Sequence, residues 1–172
     1  MLLKAAGALL VIAGGAAWSA GGVARLKSRA RNLGQLAASL ELLKSEICDR
    51  RTPLPEILRL LQGETSGTVS RFYANLSQEM KDLGKDTFAG LWRRAILSTP
   101  DMLLTPEEEL AMAQLGYSLG RYDAMYQKSA IELTREKMSG YARKAKEECE
   151  RDWKMQAFCG IAASLIAVIM ML

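Results

Sequence analysis

Two long uncharged runs flank a segment in which apolar and charged residues alternate with a helical period. Residues 5–24 contain no charged side chain, and residues 155–172 are also uncharged, with Gln156 as the strongly polar residue. Runs of 20 and 18 residues, as helices, measure about 30 and 27 Å, close to the thickness of a bilayer core. They are therefore predicted to be transmembrane helices. Cleavage of the first run as a signal peptide, near Ala17-Trp18-Ser19, is an alternative, but its positive charge follows the run and does not precede it.

Between the two runs, apolar residues recur at intervals of three and four, which is typical of amphipathic helices. The clearest series is Leu33, Leu36, Leu40, Leu43 and Ile47. Thr52 with Pro53, Thr105 with Glu108, and Asp123 match helix-start signals. No segment shows the period of two that a half-buried strand requires. The sequence predicts an all-α protein: a six-helix bundle, with long first and last helices that continue the transmembrane helices.

Small residues are spaced four apart in both predicted membrane helices. Gly15 and Ser19 form such a pair in the first, and Gly160 and Ser164 form one in the second. This spacing allows close backbone contact between membrane helices. The two helices are therefore expected to pack against each other.

Basic residues flank the inner ends of both predicted membrane helices. The flanking positions are Arg25, Lys27, Arg29 and Arg31 after the first, and Arg151 and Lys154 before the second. The excess of positive charge in cytoplasmic segments predicts that the intervening segment lies in the cytoplasm. The expected organisation is a transmembrane helix at 1–24, a cytoplasmic bundle at 25–154 and a second transmembrane helix at 155–172.

Composition provides little for catalysis or ligand binding. The chain has no histidine, its three cysteines have no CxxC spacing, and its net charge of +4 comes from a local cluster. The adjacent Glu107, Glu108 and Glu109 point to different faces of a helix, so they are read as a favourable first turn and not as a metal site. We expect no enzyme activity, cofactor, metal, nucleic acid or small-molecule substrate.

Several motifs together resemble the stage III sporulation protein AB family, over essentially the whole chain. They are Leu33-x-x-Leu36-x-x-x-Leu40-x-x-Leu43-x-x-Glu46-Ile47, Pro53-Leu54-x-Glu56, Leu104-Thr105-x-Glu107, and Leu115-Gly116-x-x-Leu119-Gly120-x-x-Asp123-x-x-x-Gln127. The resemblance implies a six-helix fold related to the cytoplasmic domain of the type II secretion platform protein. It also implies a structural role in a secretion-like complex that connects mother cell and forespore during endospore formation.

The same resemblance implies partners and a location. The partners are a secretion-type ATPase, sporulation protein AA, and other membrane proteins of the stage III complex. The location is the outer forespore membrane, with the bundle in the mother-cell cytoplasm. A membrane sensor with a ligand-binding bundle is the alternative function, but it requires translocation of the bundle past four clustered basic residues.

A bundle without site chemistry must act through its surface. If the first and last helices pack antiparallel, the turn after the first helix lies beside the turn before the last one, at the end furthest from the membrane. Arg50, Arg51 and Arg121 occupy these turns. They are predicted to form a small basic tip that attracts an acidic partner.

Overall fold

In the computed structural model, the backbone is described for residues 2–121 and 123–171. Side chains are described for residues 22–120, 123, 125–153 and 155. The chain forms two compact units. The terminal unit contains Met1–Ala30 and Arg143–Leu172, and the central unit contains Arg31–Ala142.

The described backbone contains six α-helices, as the sequence predicts. They are α1 (Leu2–Ser45), α2 (Leu54–Glu64), α3 (Gly67–Glu79), α4 (Phe88–Leu97), α5 (Pro106–Arg121) and α6 (Ala124–Met171). A π-helical turn at Glu46–Arg50 ends α1, and 3₁₀ turns at Met80–Asp82 and Pro100–Met102 follow α3 and α4. Extended pairing within the described range is limited to an isolated bridge between Leu83 and Asp86.

The leucine stripe of α1 forms one wall of the core in the central unit. Leu33, Leu36, Leu40 and Leu43 are each fully buried, which confirms the predicted periodicity. Burial of each such side chain contributes about 1.5–3 kcal/mol. Facing residues come from α2, α3 and α4, where Phe72 packs edge-on against Trp92 with ring centroids 5.3 Å apart.

Within the central unit, α1 and α6 run antiparallel. Lys44 pairs with Glu132 at 3.6 Å, and Glu41 pairs with Arg135 at 3.0 Å. From Lys44 to Glu41 the residue number on α1 falls by three, and that of the partner on α6 rises by three, as expected for antiparallel helices. The neighbouring ammonium of Lys44, which also donates a hydrogen bond to Glu41, lowers the pKa of the Glu41 carboxyl.

A close contact between α4 and α5 depends on glycine. The Trp92 indole N–H donates to the Met112 carbonyl at 2.8 Å. One turn further along α5, a Cβ added to Gly116 would lie 2.5 Å from Trp92 Cγ. Gly120 repeats the close approach against Phe88, at 3.2 Å. Gly116 and Gly120 therefore permit the close packing of α5 against α4.

The predicted start signals of α5 and α6 are confirmed, but the one for α2 is wrong. Thr105 and Glu108 form a capping box: the Thr105 N–H donates to Glu108 Oε2 at 2.8 Å, and the Glu108 N–H donates to Thr105 Oγ1 at 3.4 Å. Asp123 accepts from the Tyr126 N–H at 2.9 Å. Thr52 does not cap α2, because the helix begins at Leu54 and Pro53 occupies its N-cap position. The Thr52 hydroxyl donates to Glu46.

Several large apolar residues in or next to α3 and α5 lie at the surface. On α5, Leu110 and Tyr117 are 59% and 43% exposed. The helix instead buries Ala111, Met112 and Leu115, together with Gly116, which faces Trp92 of α4. Leu83, which follows α3, is likewise 52% exposed, because the helix gives way to a 3₁₀ turn before it.

Among the residues that the structure describes, no helix combines the length and the apolar character needed to cross a membrane. The side chains of residues 5–21 and 156–172, which make up most of the two predicted membrane helices, lie outside the described set.

Candidate interaction surfaces

The turn that ends α1 is organised by one buried carboxylate. Glu46 is 3% exposed. Its Oε1 accepts from Arg50 Nη1 at 2.8 Å, and its Oε2 accepts from the Thr52 hydroxyl at 2.6 Å. Its backbone carbonyl accepts from the N–H groups of Arg51 and Thr52. The side chain and backbone of Glu46 therefore hold Arg50, Arg51 and Thr52 in place. These three residues form the centre of residues 48–55, which we call the arginine turn.

Glu46 is buried because it lies three residues after Leu43, on the same face of the helix. Ile47, which was expected to continue the leucine stripe, is only half-buried. Burial of a carboxylate is costly unless its oxygens are hydrogen-bonded. The two side-chain donors from the arginine turn satisfy both oxygens.

The three arginines of the predicted basic tip differ in their surroundings. Arg50 is 70% exposed, but its guanidinium is engaged with Glu46. Arg51 is exposed and adopts a left-handed backbone conformation, with φ of 55°. The side chain of Arg121 lies outside the described residues. The structure therefore presents Arg51 as an exposed cation on a fixed turn, whereas Arg50 also has a structural role.

Lys128 of α6 is a further cation near this turn. Burial raises the pKa of the Cys48 thiol, and Lys128 acts in the opposite direction, which places its charge close to Cys48. The antiparallel register of α1 and α6 gives the same neighbours, because it pairs residue 44 with 132 and therefore 48 with 128. Lys128 is not among the predicted cations of the tip, although the expected antiparallel packing, applied residue by residue, indicates it.

A second surface, between α5 and α6, is a groove of about 450 Å³. Tyr117, Tyr126 and Leu133 line it and are 43%, 53% and 56% exposed, and Lys137 also lines it. Large exposed apolar side chains that are grouped together typically mark protein contacts. The sequence pattern does not indicate this groove, because its apolar residues are spaced along two different helices.

The predicted membrane-flanking residues occupy mostly exposed positions. Arg25, Lys27 and Arg151 of the terminal unit are exposed, as is Arg31 at the start of the central unit. Arg29 is half-buried and lies 3.9 Å from Glu148. The side chain of Lys154 falls outside the described residues, and so do Gly15, Ser19, Gly160 and Ser164, so helix pairing through them stays a prediction.

Two of the three glutamates at the start of α5, Glu107 and Glu108, form different hydrogen bonds. Glu108 is 1% exposed and closes the capping box. Glu107 accepts from the Tyr141 hydroxyl of α6 at 2.8 Å, and this bond to a carboxylate raises the pKa of Tyr141. Within the described part of the chain, no three Cys, Asp or Glu side chains come together as a set that could hold a metal ion.

Comparison with known proteins agrees with the helical architecture. The sequence model of the stage III sporulation protein AB family matches residues 4–172. Stage III sporulation protein AB of Bacillus subtilis (strain 168) is 25% identical over 173 residues, covering 99% of this chain and all of that protein. A solved structure of stage III sporulation protein AB is similar with a TM-score of 0.65 and 25% identity, covering 72% of this chain and 97% of that one. The chain belongs to the stage III sporulation protein AB family.

Proposed function

We propose that this chain is a membrane-anchored structural component of a secretion-like complex that connects mother cell and forespore, with its central unit in the mother-cell cytoplasm. One observation carries the proposal beyond family membership. Each of α1 and α6 runs without a break from an uncharged run of transmembrane length into the helical region, since α1 covers Leu2–Ser45 and α6 covers Ala124–Met171. The basic residues that follow the first run and precede the second support a cytoplasmic location for the region between them.

In this role the central unit binds partners and performs no chemistry. The arginine turn and the groove between α5 and α6 are the surfaces that support this proposal. The proposed partner at the arginine turn is a secretion-type ATPase, sporulation protein AA, which would contact Arg51, Lys128 and Arg121 through an acidic surface. Other membrane proteins of the stage III complex are further proposed partners. Gly15, Ser19, Gly160 and Ser164 are proposed to pair the two membrane helices with each other.

The topology has a direct test in labelling of Cys48. In a Cys149→Ser, Cys159→Ser background, a membrane-impermeant maleimide should not label Cys48 in intact bacterial cells and should label it after permeabilisation. Because burial raises the pKa of this thiol, its thiolate fraction is small at neutral pH. Labelling is therefore best performed at about pH 8.5, near the ordinary pKa of a thiol.

The matched control for this test is Leu3→Cys in a chain whose native cysteines are replaced with serine. Both variants are produced in vegetative cells, where the chain enters the cell membrane. Position 3 then lies at the outer end of the first predicted membrane helix and should be labelled in intact cells. Labelling of Cys48 from outside would contradict the cytoplasmic location. It would favour the sensor alternative, in which the bundle is translocated.

Partner binding at the arginine turn is tested by Arg51→Glu combined with Lys128→Glu. With full-length protein in lipid nanodiscs, the double variant should bind the purified ATPase about tenfold more weakly at low salt, and the difference should shrink as salt increases. Lys81→Glu with Arg93→Glu is the matched control, because it makes the same charge change at exposed positions on other elements. Equal weakening by both pairs would indicate a general charge effect and contradict docking at the arginine turn.

A further inference from the structure

A cavity of about 530 Å³ lies between α1 and α6 in the terminal unit. The two helices line it with one stripe each, spaced at three and four residues. The lining includes Val23 and Lys27 of α1, and Lys146, Cys149, Glu150 and Trp153 of α6. The arginine turn and the groove between α5 and α6 belong instead to the central unit.

The cavity is apolar at one end and cationic at the other. Val23 and Trp153 lie beside the predicted ends of the two membrane helices, and the Cys149 thiol lies 4.0 Å from the Val23 carbonyl. Lys27 follows Val23 by one helical turn, about 6 Å further from the predicted membrane helix. Lys146 precedes Trp153 by two turns, in the same direction away from its predicted membrane helix. This arrangement is complementary to an anionic lipid at a bilayer surface, whose apolar acyl chains are followed by a negatively charged headgroup.

The charges of this cavity suit a singly charged anion. Two lysines and Glu150 leave one net positive charge in the lining. Nearby carboxylates have other partners, since Glu148 pairs with Arg29 and Asp152 lies 3.9 Å from Arg151. Across the described side chains, Lys27 and Lys146 form no ion pair, so their ammonium groups are available to a ligand. The phosphodiester of a phospholipid carries one negative charge.

Trp153 adds an independent indication. It is 65% exposed at the boundary of an uncharged run, which is unfavourable for an indole in water alone. Tryptophan is enriched at the level of lipid headgroups, where its ring contacts apolar and polar groups together. Basic pockets between membrane helices on the cytoplasmic side are recurrent sites for anionic lipids.

We propose that this cavity binds an anionic phospholipid. The phosphodiester lies between Lys27 and Lys146, and the glycerol and first acyl carbons lie against Val23 and Trp153. This inference rests on the proposed function, because it requires that residues 5–24 and 155–172 lie in a bilayer.

The test uses full-length protein with Trp18→Phe, so that Trp153 reports contact and Trp92 remains buried. The protein is placed in phosphatidylcholine nanodiscs that contain a small fixed fraction of brominated phosphatidylglycerol, which quenches tryptophan. Quenching should exceed that from the same fraction of brominated phosphatidylcholine. Lys27→Gln with Lys146→Gln should lower the apparent affinity for the anionic lipid by at least tenfold, given about fivefold for each lysine.

Arg25→Gln with Arg143→Gln is the matched control, because it removes the same charge from exposed positions of the same helices that do not line the cavity. Equal loss in both double variants would show attraction by net charge only and would overturn the proposed site. Preferential binding of phosphatidylethanolamine that is lost in Glu150→Gln would also overturn the proposal. It would show that Glu150 pairs with the ammonium group of a zwitterionic lipid. Inorganic phosphate should not displace the lipid; displacement would show a simple anion site and contradict the proposal.

Failure of this inference is separable from failure of the proposed function. Retention of the protein in nanodiscs, and its resistance to extraction by alkaline carbonate, report membrane insertion without reference to lipid type. Insertion without enrichment of phosphatidylglycerol would overturn the lipid site and leave the membrane-anchored role intact. Loss of insertion itself would overturn both.

Discussion

Gly116→Ala should destabilise the protein by about 2–4 kcal/mol, although alanine is the better helix former. The added Cβ would lie 2.5 Å from Trp92 Cγ, and Trp92 is fully buried, so the ring has no room to withdraw. Overpacking of this kind costs about 1–3 kcal/mol. Displacement of the indole would also break its hydrogen bond to the Met112 carbonyl, which contributes about 1 kcal/mol more.

The matched control is Gly140→Ala. Gly140 lies within α6, and a Cβ added there meets nothing within 4 Å. The same substitution should therefore stabilise the protein by about 0.5–1 kcal/mol through helix propensity alone. Denaturant unfolding of the full chain in detergent, followed by circular dichroism, measures both. Equal changes in the two variants would show that α4 and α5 are not in close contact.

Trp92→Leu provides a further check on the cause. Leucine removes the ring that the new Cβ would strike, so Gly116→Ala should cost less in the Trp92→Leu background than in the natural chain. The two changes are coupled only if the residues touch, which a double-mutant cycle measures directly. If the changes in the free energy of unfolding from the two substitutions are fully additive, the effect of Gly116→Ala does not arise from contact with Trp92.

Arg50→Glu should have the second-largest effect, a destabilisation of about 2–3 kcal/mol, because it removes the charged partner of a buried carboxylate and adds a like charge beside it. Arg51→Glu, one residue further on, should change stability by less than about 0.5 kcal/mol, since that side chain is exposed. Thermal unfolding of the two variants at equal ionic strength provides the comparison. A charge reversal at Arg50, Arg51 and Arg121 together would therefore alter the fold as well as any docking.

The cause of the Arg50 effect can be isolated by adding Glu46→Gln. A glutamine at position 46 retains the volume of the side chain and removes the repulsion, so it should restore part of the stability lost in Arg50→Glu. If Arg50→Glu is as stable as Arg51→Glu, the Glu46–Arg50 pair does not hold the turn.

Those parts of the fold that depend on large apolar residues at regular spacing are predictable from the sequence. The α1 stripe is an example, because Leu33, Leu36, Leu40 and Leu43 can be buried together only on a helix. The start signals of α5 and α6 are equally local, since Thr105 and Asp123 bond to backbone groups within three residues. Helix number and order follow from such local rules.

Other features of the structure could not be predicted from the sequence. They depend on contacts between residues distant in sequence, or on a glycine that has no side chain. The inward face of α5 includes Ala111 and Gly116, whose hydrophobic signal is weak, whereas the exposed Leu110 and Tyr117 dominate the apolar pattern of that helix. Thr52 matches a capping signal, yet α2 begins one residue later than that signal predicts, with Pro53 at its N-cap position. The place of Lys128 beside the arginine turn follows only from the register between two helices.

Pairing of α1 with α6 also has a consequence for the order of events during synthesis. Glu41 emerges from the ribosome about 90 residues before Arg135, its ion-pair partner. At translation rates of roughly 5–20 residues per second, that interval lasts about 5–20 s, whereas helices form in roughly microseconds. For that time the leucine stripe of α1 has only α2 to α5 to cover it. Closure by α6 is thus a late step, limited by the ribosome and not by the intrinsic folding rate of the chain.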